Sequence, residues 1–132
     1  MHPKEFRYSP EHIWLKDEGN GQFRIGITYH YQGQLKSVVY LDLPGVGSAL
    51  RCGEPFGAIE SSKINTDLIS PISGTVTAVN DAVTAKPGLI NKDPYGAGWL
   101  MLAHSPGTNA GTSLLSADEY LAAVSSEAEA GQ

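Results

Sequence analysis

The stretch that most constrains this chain is 56–74. Phe56, Gly57, Ala58 and Ile59 form a short apolar run of small volume. Leu68 and Ile69 form a second, which stops at Pro71, a residue with no N–H to give to a ladder. Between them 60–67 is mostly small or polar, and Ser, Asn and Asp bond their own backbone in turns. Two short strands around a polar bend predict a β-hairpin that carries Lys63 at the bend. A lysine there is held up to solvent rather than packed. Most lysines are solvated surface residues, so the turn alone does not make Lys63 functional.

The rest of the chain is punctuated in the same way. Gly and Pro number 15 and 8, many at strand-turn spacing, which favours an all-β body. A strand beginning at 13–15 is expected to turn at Glu18-Gly19-Asn20-Gly21 and return over 23–27, with Phe23, Ile25 and Ile27 on one face. Thr28 can cap a short helix to Leu35, weakened by Gly33. The run 38–43 is the most β-prone. Residues 75–80 alternate as a strand, 81–90 read as an irregular excursion, and 100–103 as a final strand. Residues 1–9 read as an irregular lead. Ser116 and Glu119 have the spacing of a capping box, opening a C-terminal helix with Tyr120, Leu121 and Val124 on one face. The tail 127–132 is expected to fray, which leaves one mainly β domain over 1–126.

Several function classes drop out. The net charge is −5 and the nine basic residues are scattered, so nothing suits a nucleic-acid backbone. No apolar run has transmembrane length, and the start lacks the apolar segment of a secretory signal. A single cysteine, Cys52, excludes an intrachain disulfide and fits a reducing cytoplasm; it reads as a plain turn residue. The four histidines and the cysteine lack metal-ligand spacing. No nucleophile–base set or phosphate loop is visible, which argues against an enzyme.

The wider pattern is more specific. Glu60-Ser61-Ser62-Lys63-Ile64-Asn65-Thr66-Asp67-Leu68, followed by Ser70-Pro71-Ile72-Ser73-Gly74-Thr75-Val76, resembles the lipoyl-attachment hairpin of glycine cleavage system H proteins. Tyr8-Ser9-Pro10-Glu11-His12-Ile13-Trp14, Ile25-Gly26-Ile27-Thr28, Val38 to Pro44, Pro87 to Asn91, Asp93 to Trp99 and Leu115 to Tyr120 look like further segments of that family, in its order. The resemblance implies a lipoyl-domain sandwich of two small antiparallel sheets, with a short helix near 28–35 and a C-terminal helix. It implies lipoic acid in amide linkage on Lys63, which turns a charged side chain into a long neutral arm. The protein would then be a non-catalytic carrier. It would be served by a lipoate ligase or lipoyl transferase, with Glu60, Asp67 and His12 as contacts of the arm or of that enzyme. His12, beside Trp14, also reads as a packed, hydrogen-bonded histidine.

Departures from the family pattern shape the expected client. Where the family usually has His-Glu-Trp, this chain has His12-Ile13-Trp14. That glutamate is associated with the cleft that shelters the aminomethylated arm, and a carboxylate can pair with a cationic amine. Leu35-Lys36-Ser37 stands where the family usually has Leu-Gly-Asp, and Ser62-Lys63-Ile64 where it has Val-Lys-Ala. These changes point to the lipoate-binding branch that serves a heterodisulfide-reductase-like sulfur-oxidising system, with sulfur as the cargo. The alternatives are a glycine cleavage H protein, working with glycine decarboxylase, aminomethyltransferase and dihydrolipoyl dehydrogenase, and an unlipoylated β-sandwich interaction module.

Overall fold

The computed structural model describes residues 3–105 and 114–130. Among them the chain forms nine strands and four helices. In order these are β1 (Arg7–Tyr8), β2 (Ile13–Gly19), β3 (Gln22–Ile27), α1 (Tyr29–Leu35), β4 (Val38–Asp42), β5 (Ala49–Leu50) and β6 (Pro55–Ser61). Then come β7 (Asn65–Ile69), β8 (Gly74–Val79), α2 (Asp81–Ala85), α3 (Gly88–Lys92), β9 (Met101–His104) and α4 (Ala117–Ala130). One antiparallel sheet has the order β1-β2-β3-β9-β8-β5, and a smaller one has β4-β6-β7. The mainly β fold with two antiparallel sheets, a helix after Thr28 and a C-terminal helix is the architecture expected from the sequence.

Alternation along β2 explains how one strand serves two cores. Ile13 and Leu15 face the main core with Ile25, Ile27, Leu41, Ile59 and Leu68. Trp14, between them, faces a second cluster with Phe6, Tyr8, Ala117 and Tyr120. Each fully buried aliphatic side chain contributes roughly 1.5–3 kcal/mol, so the main core supplies most of the stability. Trp14 lies over its cross-strand partner Gly26, stacks on Phe6 at 4.8 Å and donates from Nε1 to the Pro94 carbonyl at 2.9 Å.

The turns follow their residues. Gly19, Asn20 and Gly21 all take positive φ at the β2–β3 bend. Thr28 caps α1 by accepting the Tyr31 N–H at 3.1 Å. Both arms of the capping box form at α4: Glu119 Oε1 accepts the Ser116 N–H at 2.8 Å, and Ser116 Oγ accepts the Glu119 N–H at 3.2 Å.

Three segments differ from expectation. The lead contains β1, paired as Arg7↔Leu15 and Tyr8↔Trp14, and Tyr8 also bridges to Leu115. Two residues are too few to show an alternation. The excursion 81–90 holds α2 and α3, five residues each, and five residues show too little of a 3.6-residue period. The side chain of Asn80 fixes this region by accepting the Ala82 N–H at 3.2 Å and donating to the Ala97 and Trp99 carbonyls. Helix α4 runs to Ala130, into the stretch expected to fray, while 131–132 lie outside the described residues.

A Cβ at Gly26 would stand 2.5 Å from the Trp14 ring. Gly26→Ala is therefore expected to destabilise the fold by about 1–3 kcal/mol, measured as a lower urea midpoint at unchanged m-value. The cap supplies a pH dependence. Hydrogen bonds from the Ser116 backbone and hydroxyl lower the Glu119 pKa. The contribution of Glu119 is complete above the ordinary glutamate value and is lost as pH falls through its lowered one. Comparing acid titrations of stability for the wild type and Glu119→Gln checks this, because the variant keeps a hydrogen-bonding side chain and loses the titration.

Candidate functional site

The strands of the lysine hairpin run further than their apolar residues suggest, leaving only 62–64 as the loop. Ser61 holds that loop. Its Oγ accepts the N–H groups of Lys63 (3.3 Å) and Ile64 (3.0 Å) and donates to the Ile64 carbonyl (2.8 Å), while its own N–H reaches the same carbonyl at 2.9 Å. The Ser62 N–H donates to the Ser37 carbonyl at 2.8 Å, which ties the loop to the turn after α1. Lys63 itself is exposed, and among the described residues it forms no ion pair. The backbone under the lysine is thus fixed and its amine is accessible.

Beside it lies a groove of about 750 Å³, lined from α1 by Tyr29, His30, Gly33 and Gln34, from the hairpin by Lys63 and Ile64, and from α4 by Leu121 and Val124, with Lys36 at the end of α1. That volume is in the range of small-molecule clefts, roughly 300–1,000 Å³. Tyr29, Ile64 and Leu121 are exposed apolar side chains along it. No acidic side chain is among the described residues that line it.

Two polar assemblies hold the groove walls. Tyr120, on α4, places its hydroxyl 2.7 Å from His12 Nδ1 and 2.8 Å from the fully buried Thr28 Oγ1, and stacks on Tyr8 at 4.9 Å. The His12 ring lies 5.1 Å from that of His30 and 5.3 Å from that of Tyr31. Burial raises the Tyr31 pKa, with a hydrogen bond to the Thr66 side chain acting in the opposite direction, so α1 also touches the hairpin through a neutral phenol. At the far end, Asn91 of α3 donates to the Lys36 carbonyl (2.6 Å) and to Gln32 Oε1 (3.1 Å), and accepts the Val38 N–H (2.9 Å). This clamp secures Lys36 at φ 64, ψ −141, a conformation that suits glycine. A lysine held there costs about 1–3 kcal/mol.

The residues singled out in the sequence are placed differently from one another. Lys63 is at the hairpin tip and on the groove. Glu60 and Asp67 are exposed and do not line the groove. Ile59 pairs with Leu41 and Thr66 on the inner face, so Glu60, opposite Tyr40 and Asn65, and Asp67, opposite Ala58, stand on the outer face of the small sheet. His12 is half-buried behind His30. Ile13 is fully buried in the main core. Sequence reasoning missed Ser61 as the clamp, although a serine two residues before the lysine is a turn signal. It also missed Lys36, Leu121 and Val124 as groove walls, because only the tertiary fold brings α4 to α1.

A flexible cation on a rigid two-strand support can hold an attached group out from the body of the fold. That is the construction of a carrier domain. The glycine cleavage H-protein family profile matches residues 6–127. A glycine cleavage system H protein from Herpetosiphon aurantiacus is 44% identical over 126 residues, covering 96% of this chain and 95% of that protein. One from Mycobacterium avium is 48% identical over 99 residues, covering 75% of each. The crystal structure of a glycine cleavage system H protein from Mycobacterium marinum superposes with a TM-score of 0.85 at 36% identity, covering 93% of this chain and 98% of that one. The chain belongs to the glycine cleavage H-protein family, whose members are non-catalytic carriers with lipoic acid attached covalently to a lysine. None of these relatives bears a name that supports the sulfur-oxidising client expected from the sequence departures.

Removing the Tyr120 hydroxyl deletes two hydrogen bonds that hold α4 to the body. Tyr120→Phe is expected to cost about 1–2 kcal/mol and to speed amide hydrogen exchange in 117–125 more than in β2 or β3.

Proposed function

We propose that Lys63 is the lipoyl-attachment residue and that this protein is the carrier of a glycine cleavage-type system. The observation that carries the reading is the position of Lys63 on a clamped hairpin tip, inside a family match that spans almost the whole chain. The site fits the group. The amine is exposed and outside any ion pair among the described residues, and an apolar groove beside it can receive an aliphatic chain. Lipoic acid bound there in amide linkage supplies a dithiolane that accepts a group on sulfur and yields it again. The chain's own residues do the rest. Ser61 fixes the base of the arm, Tyr29, Ile64, Leu121 and Val124 offer it an apolar bed, and Glu60 and Asp67, on the outer sheet face beside the tip, are available to a lipoate ligase or lipoyl transferase. His12 supports the groove from behind through His30.

In this reading the partners are a glycine decarboxylase, an aminomethyltransferase and a dihydrolipoyl dehydrogenase, and the cargo is an aminomethyl group; the relatives are named as H proteins of the glycine cleavage system. The compartment is the cytoplasm, consistent with a free, exposed Cys52. No helix among the described residues is long and apolar enough to cross a membrane. A second reading, sulfur as the cargo, is favoured by one observation: no carboxylate is among the described residues that line the groove.

The test is the intact mass of protein purified from its native cell, with peptide mapping around Lys63. A lipoyl increment on Lys63, absent in Lys63→Arg, is the expected result. A further aminomethyl or sulfur increment distinguishes the two cargoes. A bare Lys63 in cells that lipoylate their other substrates overturns the carrier reading in favour of an unmodified interaction module.

A further inference from the structure

The loop that carries Lys63 stands beyond the last pair of its sheet. β4 begins at Val38, opposite Ser61, and 62–64 follow with no ladder partner in β4. A short hairpin clear of a sheet is marginal in water. What meets the loop is the turn before β4, where the Ser37 carbonyl accepts the Ser62 N–H at 2.8 Å. That turn does not support itself. Lys36 holds φ 64, ψ −141, a conformation that suits glycine and costs any other residue. Asn91, on α3, grips the turn on both sides of Ser37. Its Nδ2 donates to the Lys36 carbonyl at 2.6 Å, and its Oδ1 accepts the Val38 N–H at 2.9 Å. Nδ2 also donates to Gln32 Oε1 on α1 at 3.1 Å. A side-chain amide that only satisfied a turn would account for these bonds. It would not account for a strained turn whose middle carbonyl is spent on the lysine loop.

We propose that Asn91 is a positioning residue for Lys63: through the turn 36–38 it holds the loop in the place where a lipoylating enzyme takes the lysine. The inference rests on lipoylation at Lys63 and deepens that reading by naming a remote determinant of it. Ser62, Lys63 and Ile64 are all exposed, and Lys63 forms no ion pair among the described residues, so backbone position is what marks this lysine. On the enzyme the Lys63 amine attacks an activated lipoyl carboxyl, an acyl-adenylate or acyl-thioester. The amide C–N bond forms, the adenylate or thiolate leaves, and the protons lost by the amine go to solvent. Only a loop in the braced position is competent for that attack, so releasing the brace weakens apparent binding by the fraction of loops that leave it. Lys36 gives the coupling its sign. Without Asn91 a lysine relaxes from positive φ and takes the Ser37 carbonyl off Ser62, whereas a glycine can keep the turn unaided.

The experiment uses the full-length chain as wild type, Asn91→Ala, the double variant Asn91→Ala with Lys36→Gly, and Gly26→Ala as a chain destabilised away from the brace. Two quantities are measured. One is amide exchange at Ser62 in the unmodified chain, by NMR. The other is the rate of lipoyl transfer to Lys63 by a lipoate ligase, followed by intact mass. In Asn91→Ala the Ser62 amide is expected to exchange about tenfold faster while the β6–β7 ladder keeps its rates, which also shows that the variant is folded. As a ligase substrate the same chain shows a KM raised about fivefold with kcat little changed. The double variant returns both toward wild type, and Gly26→Ala moves neither. Unchanged Ser62 exchange or unchanged KM in Asn91→Ala overturns the proposal. So does a double variant as impaired as Asn91→Ala, or an equal effect in Gly26→Ala. In each of these cases the carrier reading stands. No transfer to Lys63 of the wild type overturns both.

Discussion

The contact between Tyr120, Thr28 and His12 ties together elements that the sequence keeps far apart. Thr28 follows β3 and caps α1. Its N–H bonds the His12 carbonyl just before β2, and its hydroxyl meets Tyr120 from α4. Thr28 is fully buried, so each of these polar groups needs its partner. One threonine therefore sets where α1 starts, where β2 and β3 close, and where the C-terminal helix docks. Both long walls of the groove depend on it, since α1 and α4 share no sheet that could hold them in register.

The hairpin solves a different problem. A carrier must keep its attachment point still while leaving the attached group mobile. Small residues achieve the first. At Gly57 a Cβ would collide with the Asp42 carbonyl, so glycine lets β4 and β6 close tightly beneath the bend. The pairing of β6 with β7 then shifts register between Pro55 and Gly57. Ser61 and the Ser37 carbonyl complete the support, and beyond Cα the lysine has only its own rotamers. Stiffness ends at the residue where mobility is needed.

Much of this was legible in the sequence, and the limits were physical. The Gly19-Asn20-Gly21 bend, the Thr28 cap, the strands around 13–27 and the Ser116–Glu119 box announce themselves because each is local. The hairpin and its lysine were legible for the same reason, although only the strand pairing shows that Glu60 and Asp67 stand on the outer face while Thr66 turns inward. Helices α2 and α3 were too short to leave a period. The groove was not legible at all, because Leu121 and Val124 lie some sixty residues from Lys63 and meet it only through the docking of α4. The choice of client showed a different limit. Ile13 and Lys36 read as departures from a family pattern and suggested a sulfur-oxidising system, whereas the relatives matched across nearly the whole chain are named for glycine cleavage.

Those departures still require a physical account, and the fold gives one. Position 13 lies on the core side of β2, among Leu15, Ile25 and Ile27, where a carboxylate would have to be desolvated and an isoleucine packs without cost. Position 36 is the reverse: the backbone there favours glycine, and a lysine is kept by the Asn91 clamp. One change removes a candidate anion from the interior; the other adds a cation at the groove. The two positions thus answer to different constraints, Ile13 to packing in the core and Lys36 to the hydrogen bonds that hold its turn.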